Sequence, residues 1–296
     1  MSQTLLDLGF ESCLADPDVW LHPATSSDGK EYYEYVLVYT DDILALSKDP
    51  RSILTHLDQH YLLKPNSIGI PKTYLGAMIS KFQLPDDPNK ERWAMGSEQY
   101  MKEAIKNVEL WLEEHDMKLK MKAPSILPSG YRPELDVSPL LNDDLANYYQ
   151  QQIGILHWAV ELGWIDITCE VSMMAAFSTM PREGHLSAVF HIYSYLKAHK
   201  RSRLVFDDSY VNFPRENPEH DWRDFYGDVK EAVPPNAPTT HGKPVQMVTF
   251  INADHAGDKL TRRSQTGALI FLNRSPILWY SKRQNSVETS TFGSEF

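Results

Sequence analysis

At 296 residues, with 42% hydrophobic and 23% charged side chains, the chain has the composition of a folded protein and the length for two or three compact units. No apolar run approaches the roughly 20 residues of a bilayer-spanning helix, and the N-terminus lacks a secretory signal, so an intracellular address without a membrane partner is expected. The net charge of −11 argues against tight, general binding of nucleic acid, because that affinity comes largely from neutralising phosphates.

The charge is unevenly spread. Residues 246–296 hold six basic side chains against four acidic ones, a local excess of +2 that leaves −13 for the rest. Cys13 and Cys169 lie far apart with no metal-ligand spacing and read as two buried, reduced thiols.

In chain order, residues 31–47 predict two strands around a tight acidic turn, with Val36, Leu37 and Val38 on one side and residues 43–46 returning. Pro50 allows a helix start, and Ile53, Leu54, Leu57 and Tyr61 mark one helical face. Residues 73–83 and 92–95 predict a second hairpin joined by a Pro/Asp-rich turn. Ser97 is read as the N-cap of a helix to Glu114, with Tyr100, Ala104, Ile105, Val108, Trp111 and Leu112 at helical spacing. A Pro/Ser-rich loop over 123–139 precedes helices at 143–162, 167–179 and 185–199. Tyr148, Tyr149, Trp158 and Trp164 are assigned to the core. Residues 207–244 read as a linker with short ordered pieces around Trp222 to Tyr226, and strands follow at 245–250, 267–272 and 277–280.

The sharpest chemical feature is Tyr39-Thr40-Asp41-Asp42. Two adjacent carboxylates are costly to desolvate unless they are hydrated or bound to cations. A hairpin tip between buried strands can present such a pair, and a solvated acidic turn explains the same four residues.

Longer stretches carry a resemblance. YVLVYTDDIL is similar to the polymerase hairpin of reverse transcriptases, whose usual form is Tyr-Val-Asp-Asp. GFESCLADPDVW lies upstream at a matching distance, and Tyr74-Leu75-Gly76 stands at an F-L-G element. YQQQIGILHWAVEL resembles a Y-R-x-x-I-G-x-L-x-Y segment, and Pro181 with His185 to Lys197 resembles a later block ending in Y-L-K. Residues 252–296 resemble an RNase H opening of the form D-A-D-W-A-G-D…R-R-S…W-x-S-K-R-Q…S-S-T-x-x-E. Together these resemble a copia-type retrotransposon polyprotein, incomplete at both ends.

The resemblance implies an α+β fold. It would hold a partial reverse-transcriptase palm of antiparallel strands plus a helix (1–96), a thumb-like helix and loop (97–140), a helical connection (141–206), a linker (207–245) and the first strands of an RNase H-like sheet (246–296). It implies Asp41 and Asp42 as catalytic ligands of Mg²⁺ or Mn²⁺, with Tyr39, Thr40, Tyr74, Leu75 and Gly76 near primer and nucleotide. Glu295 matches an RNase H carboxylate. Asn252 stands where the family has aspartate, and Asp254 partly substitutes if its strand continues. Arg262 and Arg263 are implied nucleic-acid contacts, and His255 takes the place of a tryptophan.

The implied partners are an RNA/DNA template-primer and other parts of the polyprotein, in the cytoplasm, a virus-like particle or the nucleus. In the family resembled, a third palm carboxylate completes the metal site. Only 40 residues precede Asp41, so a weakly held metal and no independent polymerase or nuclease activity are expected. The alternative expectation is a domesticated, non-catalytic module binding RNA or protein.

Overall fold

A computed structural model describes residues 1–121, 123–199, 202–212, 223–229 and 232–295. The fold is mixed α/β, and every sheet in it is antiparallel, compatible with an α+β class. The chain divides into two units, Met1–Pro71 with Tyr210–Val245, and Lys72–Ser209 with Gln246–Phe296.

The first unit is a meander. Helix α1 (Ser2–Asp7) leads into β1 (Glu11–Ser12), β2 (Val19–Thr25), β3 (Glu31–Tyr39) and β4 (Asp42–Leu46), hydrogen-bonded in that order, and α2 (Pro50–Tyr61) follows. Strand alternation sends Trp20 and Val36 inward, where they meet Leu5, Phe10, Ile53 and Leu57. Leu57 is fully buried, and burial of such a side chain contributes about 1.5–3 kcal/mol. Helix α2 starts where it does because Pro50 suits its first position and the Asp49 carboxylate accepts the Ser52 N–H at 3.2 Å. It stops at Leu62, which takes the left-handed conformation.

The second unit holds two sheets and most of the helices. β5 (Thr73–Tyr74), β6 (Ala77–Leu84), β7 (Asp87–Gly96) and β8 (Leu204–Phe206) form one sheet, in that order. β9 (Met247–Ala253), β10 (Gln265–Leu272) and β11 (Ser275–Arg283) form the other, with β10 central. α3 (Glu98–Glu114), α4 (Asp143–Glu161), α5 (Thr168–Ala175) and α6 (Glu183–Ala198) share one core, centred on Val108, Leu156, Trp164, Ile192 and Leu196.

Two tyrosine hydroxyls that enter this core are paired. Tyr149 Oη donates to the Met174 carbonyl at 2.7 Å, and Tyr193 Oη to Gln152 Oε1 at 2.8 Å. Buried His185 ties the start of α6 to a one-turn helix at Pro133–Leu135. Its Nδ1 accepts the Arg182 N–H at 3.0 Å, and its Nε2 reaches the Pro133 carbonyl at 2.9 Å.

Several expectations change. Ser97 stands at the N-cap of α3, yet its side chain makes no capping bond; its hydroxyl accepts the indole N–H of buried Trp164 at 3.0 Å instead. Trp158 is 44% exposed rather than core, because α4 turns that position away from α3 and α6. Both cysteines are free, but Cys169 is exposed and Cys13 only half-buried. α5 ends at Ala175, four residues short of the helix expected to 179.

The two units part at Pro71, and β5–β7 pair with β8, far along the sequence. The stretch read as a linker is anchored at several points. Asp207 is buried in the second unit. In the first unit, Tyr210 Oη donates to the Pro244 carbonyl at 2.9 Å, and Tyr33 Oη to the Thr239 carbonyl at 2.9 Å. A short helix, Arg223–Tyr226, forms there; Trp222 lies outside the described residues.

Candidate functional site

The acidic hairpin is built by the pairing of β3 with β4. Val36 faces Ala45, Leu37 faces Leu44, and the last pair is Tyr39 with Asp42, which leaves Thr40 and Asp41 as a two-residue loop. Thr40 has φ +53°, a left-handed conformation that a β-branched residue takes only with strain. The turn is held by strands whose Val36 is fully buried on one face.

Asp41 and Asp42 are both exposed at this tip, beside exposed Tyr39. The Asp41 carboxylate is 78% exposed, and its ion-pair partner is Lys64, whose Nζ lies 4.0 Å away. Among the described residues, no three His, Cys, Asp or Glu side chains converge as a metal ion would need. Mg²⁺ is usually held by one or two carboxylates completed by substrate phosphates and water, and its affinity rises with converging charge. Two neighbouring carboxylates facing a lysine do not make a self-contained metal cage, and no chemical step is derived through one.

The second singled-out turn, Tyr74-Leu75-Gly76, closes β5 onto β6. Tyr74 pairs with Ala77, and Leu75 and Gly76 have φ of +49° and +82°. Two successive positive φ values mark the tight hairpin turn whose twist suits its strands. A Cβ on Gly76 would lie 3.9 Å from the Trp158 indole nitrogen, so the turn sits against that exposed ring.

The remaining candidates lie along the β9–β11 sheet. Asn252 is within β9, opposite Gly267. Asp254 falls one residue past the end of that strand, and its carboxylate accepts the Gln265 N–H. The strand continuation that would put Asn252 and Asp254 on one face therefore stops at Ala253. Glu295 is exposed on a short helix, Thr291–Glu295.

Arg262 is exposed, with φ +60°. Arg263 and Asp254 line a small cleft of about 50 Å³ with Arg132, Asp258 and Arg283. Burial opposes ionisation of Asp258, but hydrogen bonds from Thr261 and Leu260 and the nearby Arg283 outweigh it and hold the carboxyl below its ordinary range. His255 Nε2 meets the Glu288 carbonyl at 3.2 Å.

Sequence reasoning missed two features. One is an open groove of about 830 Å³ over the β9–β11 sheet, lined by Cys169, Asn252, Asp254 and Trp279 among others. The other is the buried Asp207–Arg92 pair, whose Oδ1 and Nε lie 3.0 Å apart. The DDS turn at Asp207 is the local signal that could have flagged it.

The chain is 22% identical over 295 residues to the "Retrovirus-related Pol polyprotein from transposon RE1" of Arabidopsis thaliana, a match that covers 99% of this chain and 16% of that protein. It is 24% identical over 267 residues to the corresponding polyprotein from transposon TNT 1-94 of Nicotiana tabacum, covering 88% of this chain and 17% of the relative. "Secreted RxLR effector protein 161" of Plasmopara viticola is 22% identical over 148 residues, which is half of this chain and 81% of that protein. No family model matches, and no solved structure matches. The chain thus spans about a sixth of the polyproteins it resembles, and over nearly all of its own length it is similar to the Pol polyproteins of plant retrotransposons.

Proposed function

We propose that this chain is a fragment of a copia-type retrotransposon RNA-directed DNA polymerase that carries the start of its RNase H domain and is inactive alone. The observation that carries the reading is the paired carboxylates, Asp41 and Asp42, on a strained two-residue turn between two paired strands, within a chain similar from end to end to retrotransposon Pol polyproteins. Asp41 and Asp42 supply part of a Mg²⁺ or Mn²⁺ site that a further carboxylate outside this hairpin completes. Tyr39 and Thr40 lie next to the primer end, and Tyr74, Leu75 and Gly76 form a second element beside it. Asp254, Glu295, Arg262 and Arg263 belong to the RNase H part. The partners are an RNA/DNA template-primer and the rest of the polyprotein.

Primer extension on an RNA template with Mg²⁺ tests the reading. The chain alone is expected to extend no primer. Supplying the upstream part of a related polyprotein in trans is expected to restore extension, and Asp41→Asn is expected to remove it. Extension by the chain alone would overturn the inactivity. A complemented mixture indifferent to Asp41→Asn would overturn the polymerase assignment.

A second reading, a non-catalytic module binding RNA or protein, draws on the net charge of −11, which suits a protein partner better than RNA. RNA binding that weakens steeply with salt and ignores Mg²⁺ separates its RNA form from the polymerase.

A further inference from the structure

We infer that the free edge of β9 pairs antiparallel with β9 of a second copy of this chain. Strand β9 is the outer strand of its sheet, and among the described residues no strand pairs with its far side. Its register with β10 runs unbroken from Met247 to Ala253. The bonds flanking the strand fix which of its backbone groups face outward. The Asn273 N–H donates to the Gln246 carbonyl at 2.7 Å, and the Asp254 N–H to the Gln265 carbonyl at 3.1 Å. Hydrogen-bonded pairs alternate along an antiparallel ladder, so the even-numbered residues between them turn their backbone groups to β10. Met247, Thr249, Ile251 and Ala253 turn theirs away from it. Met247 and Ile251 are 70% and 60% exposed, and Thr249 is exposed with them.

Edge strands ordinarily block such pairing with charge, proline or a bulge. The opposite edge of this sheet has all three. Strand β11 carries Pro276, Lys282 and Arg283, shifts register against β10 at Ile270–Phe271, and packs on α5. Strand β9, Met-Val-Thr-Phe-Ile-Asn-Ala, has no charged residue, no proline and no register shift. The helix Thr291–Glu295 meets the sheet at its Ala253 end, where Gln284 Nε2 donates to Thr266 Oγ1 at 2.9 Å and to the Ser294 carbonyl at 2.5 Å. Met247, Thr249 and Ile251 remain exposed beyond it.

The sequence of the strand selects the occupant. Outward groups at odd positions pair only with one another, and one antiparallel register engages all 7 residues of the strand. It sets Met247 opposite Ala253 and Thr249 opposite Ile251, from both chains, and Phe250 opposite itself. The cross-strand row Trp279–Leu269–Phe250 ends at this edge with Phe250 50% exposed. In the symmetric pair the row continues into Phe250 of the second copy, and aromatic pairs are favourable cross-strand neighbours. Asp254 falls opposite Gln246, so no like charges oppose one another. Residues 246–296 carry +2 and the rest −13, so two acidic chains meet where neither is acidic.

Sedimentation velocity of the full chain, without nucleic acid or metal, tests the inference. A contact one strand long is small, so a weak shift from monomer towards dimer is expected between about 2 and 200 µM. Ile251→Lys and Ile251→Glu are each expected to weaken association by at least about tenfold, because the two like charges become diagonal neighbours across the pair. An equimolar mixture of the two variants is expected to associate at least as well as the parent. Ile251 is exposed, and unchanged thermal melts confirm that the variants fold. In the parent chain, hydrogen exchange at Thr249 and Ile251 is expected to slow as concentration rises, with a smaller change at Val248 and Phe250. No association in this range, association indifferent to both variants, a mixture that stays monomeric, or exchange at Thr249 and Ile251 that ignores concentration overturns the inference. Association that protects β1–β4 instead overturns β9 as the interface. Dimerisation is read without primer or template, so it and the polymerase reading fail independently.

Discussion

Thr40 is the residue at which sequence and backbone disagree most. Its φ of +53° places a β-branched side chain where glycine or asparagine is at ease. Strain of this kind costs of order 1–3 kcal/mol and persists only where the surroundings enforce it; here the enforcing elements are β3 and β4, paired up to Tyr39 and Asp42. Thr40→Gly is therefore expected to stabilise the chain by about 0.5–1 kcal/mol, the relieved strain being partly offset by the greater freedom of glycine when unfolded. A shift of the urea midpoint to higher concentration checks it, and an unchanged or lower midpoint would show that the turn carries no strain. The acidic turn itself was legible, because alternating apolar residues on both sides of Tyr39–Asp42 define the two strands locally. The strain was not, since φ at a loop position depends on the register that its strands adopt.

Among the elements, the β9–β11 sheet illustrates what periodicity reveals and what it leaves out. Its three strands were legible from apolar runs between turn residues, and they form with modest changes of boundary. What they pack on was not. Trp279, half-buried on β11, donates its indole N–H to the Val160 carbonyl at 3.0 Å, and the Gln265 side chain on β10 donates to Ser172 Oγ at 3.1 Å. Trp279 and Val160 are 119 positions apart, a separation that no local pattern encodes. The Val160 carbonyl, near the end of α4, also accepts the Gly163 N–H at 2.9 Å, so the indole supplies it with a second donor. Trp279→Phe keeps an aromatic ring but removes the donor, and is expected to cost about 0.5–1.5 kcal/mol, the carbonyl keeping its bond from Gly163. Hydrogen exchange should then quicken in β9–β11 while β6 and β7 stay protected; uniform quickening across all helices and sheets would mean that the bond is not local to this contact.

At the scale of the whole chain, the second unit depends on a buried charge that the sequence presents as the start of a linker. Asp207 and Arg92 have side chains 3% and 2% exposed. Asp87 Oδ2 also takes Arg92 Nη2 at 2.7 Å, and Ser209 donates to Asp207 through its N–H and hydroxyl at 3.1 and 2.7 Å. The backbone of the same turn reaches the other sheet, because the Asp207 carbonyl accepts the Arg274 N–H at 3.2 Å and the Ser275 hydroxyl at 3.0 Å. One acidic turn thus joins the β5–β8 sheet to the β10–β11 turn.

Burial opposes the charge on Asp207, but the Ser209 hydrogen bonds and Arg92 outweigh it and hold the carboxyl at about 2, below its ordinary 3.8. A depressed carboxyl contributes stability that is complete above the unfolded value and is lost as pH falls through the folded one. The contribution, about 2 kcal/mol by linkage, is therefore present above about pH 4 and disappears towards pH 2. Asp207→Asn leaves Arg92 buried with only Asp87 as carboxylate partner, and is expected to cost about 3 kcal/mol at neutral pH, near the low end for breaking a buried pair. It should also flatten the decline of stability between pH 4 and 2. Hydrogen exchange in β1–β4, which has its own core around Val36 and Leu57, is expected to stay unchanged. Equal acid sensitivity in parent and variant would remove Asp207 as the source of the pH dependence.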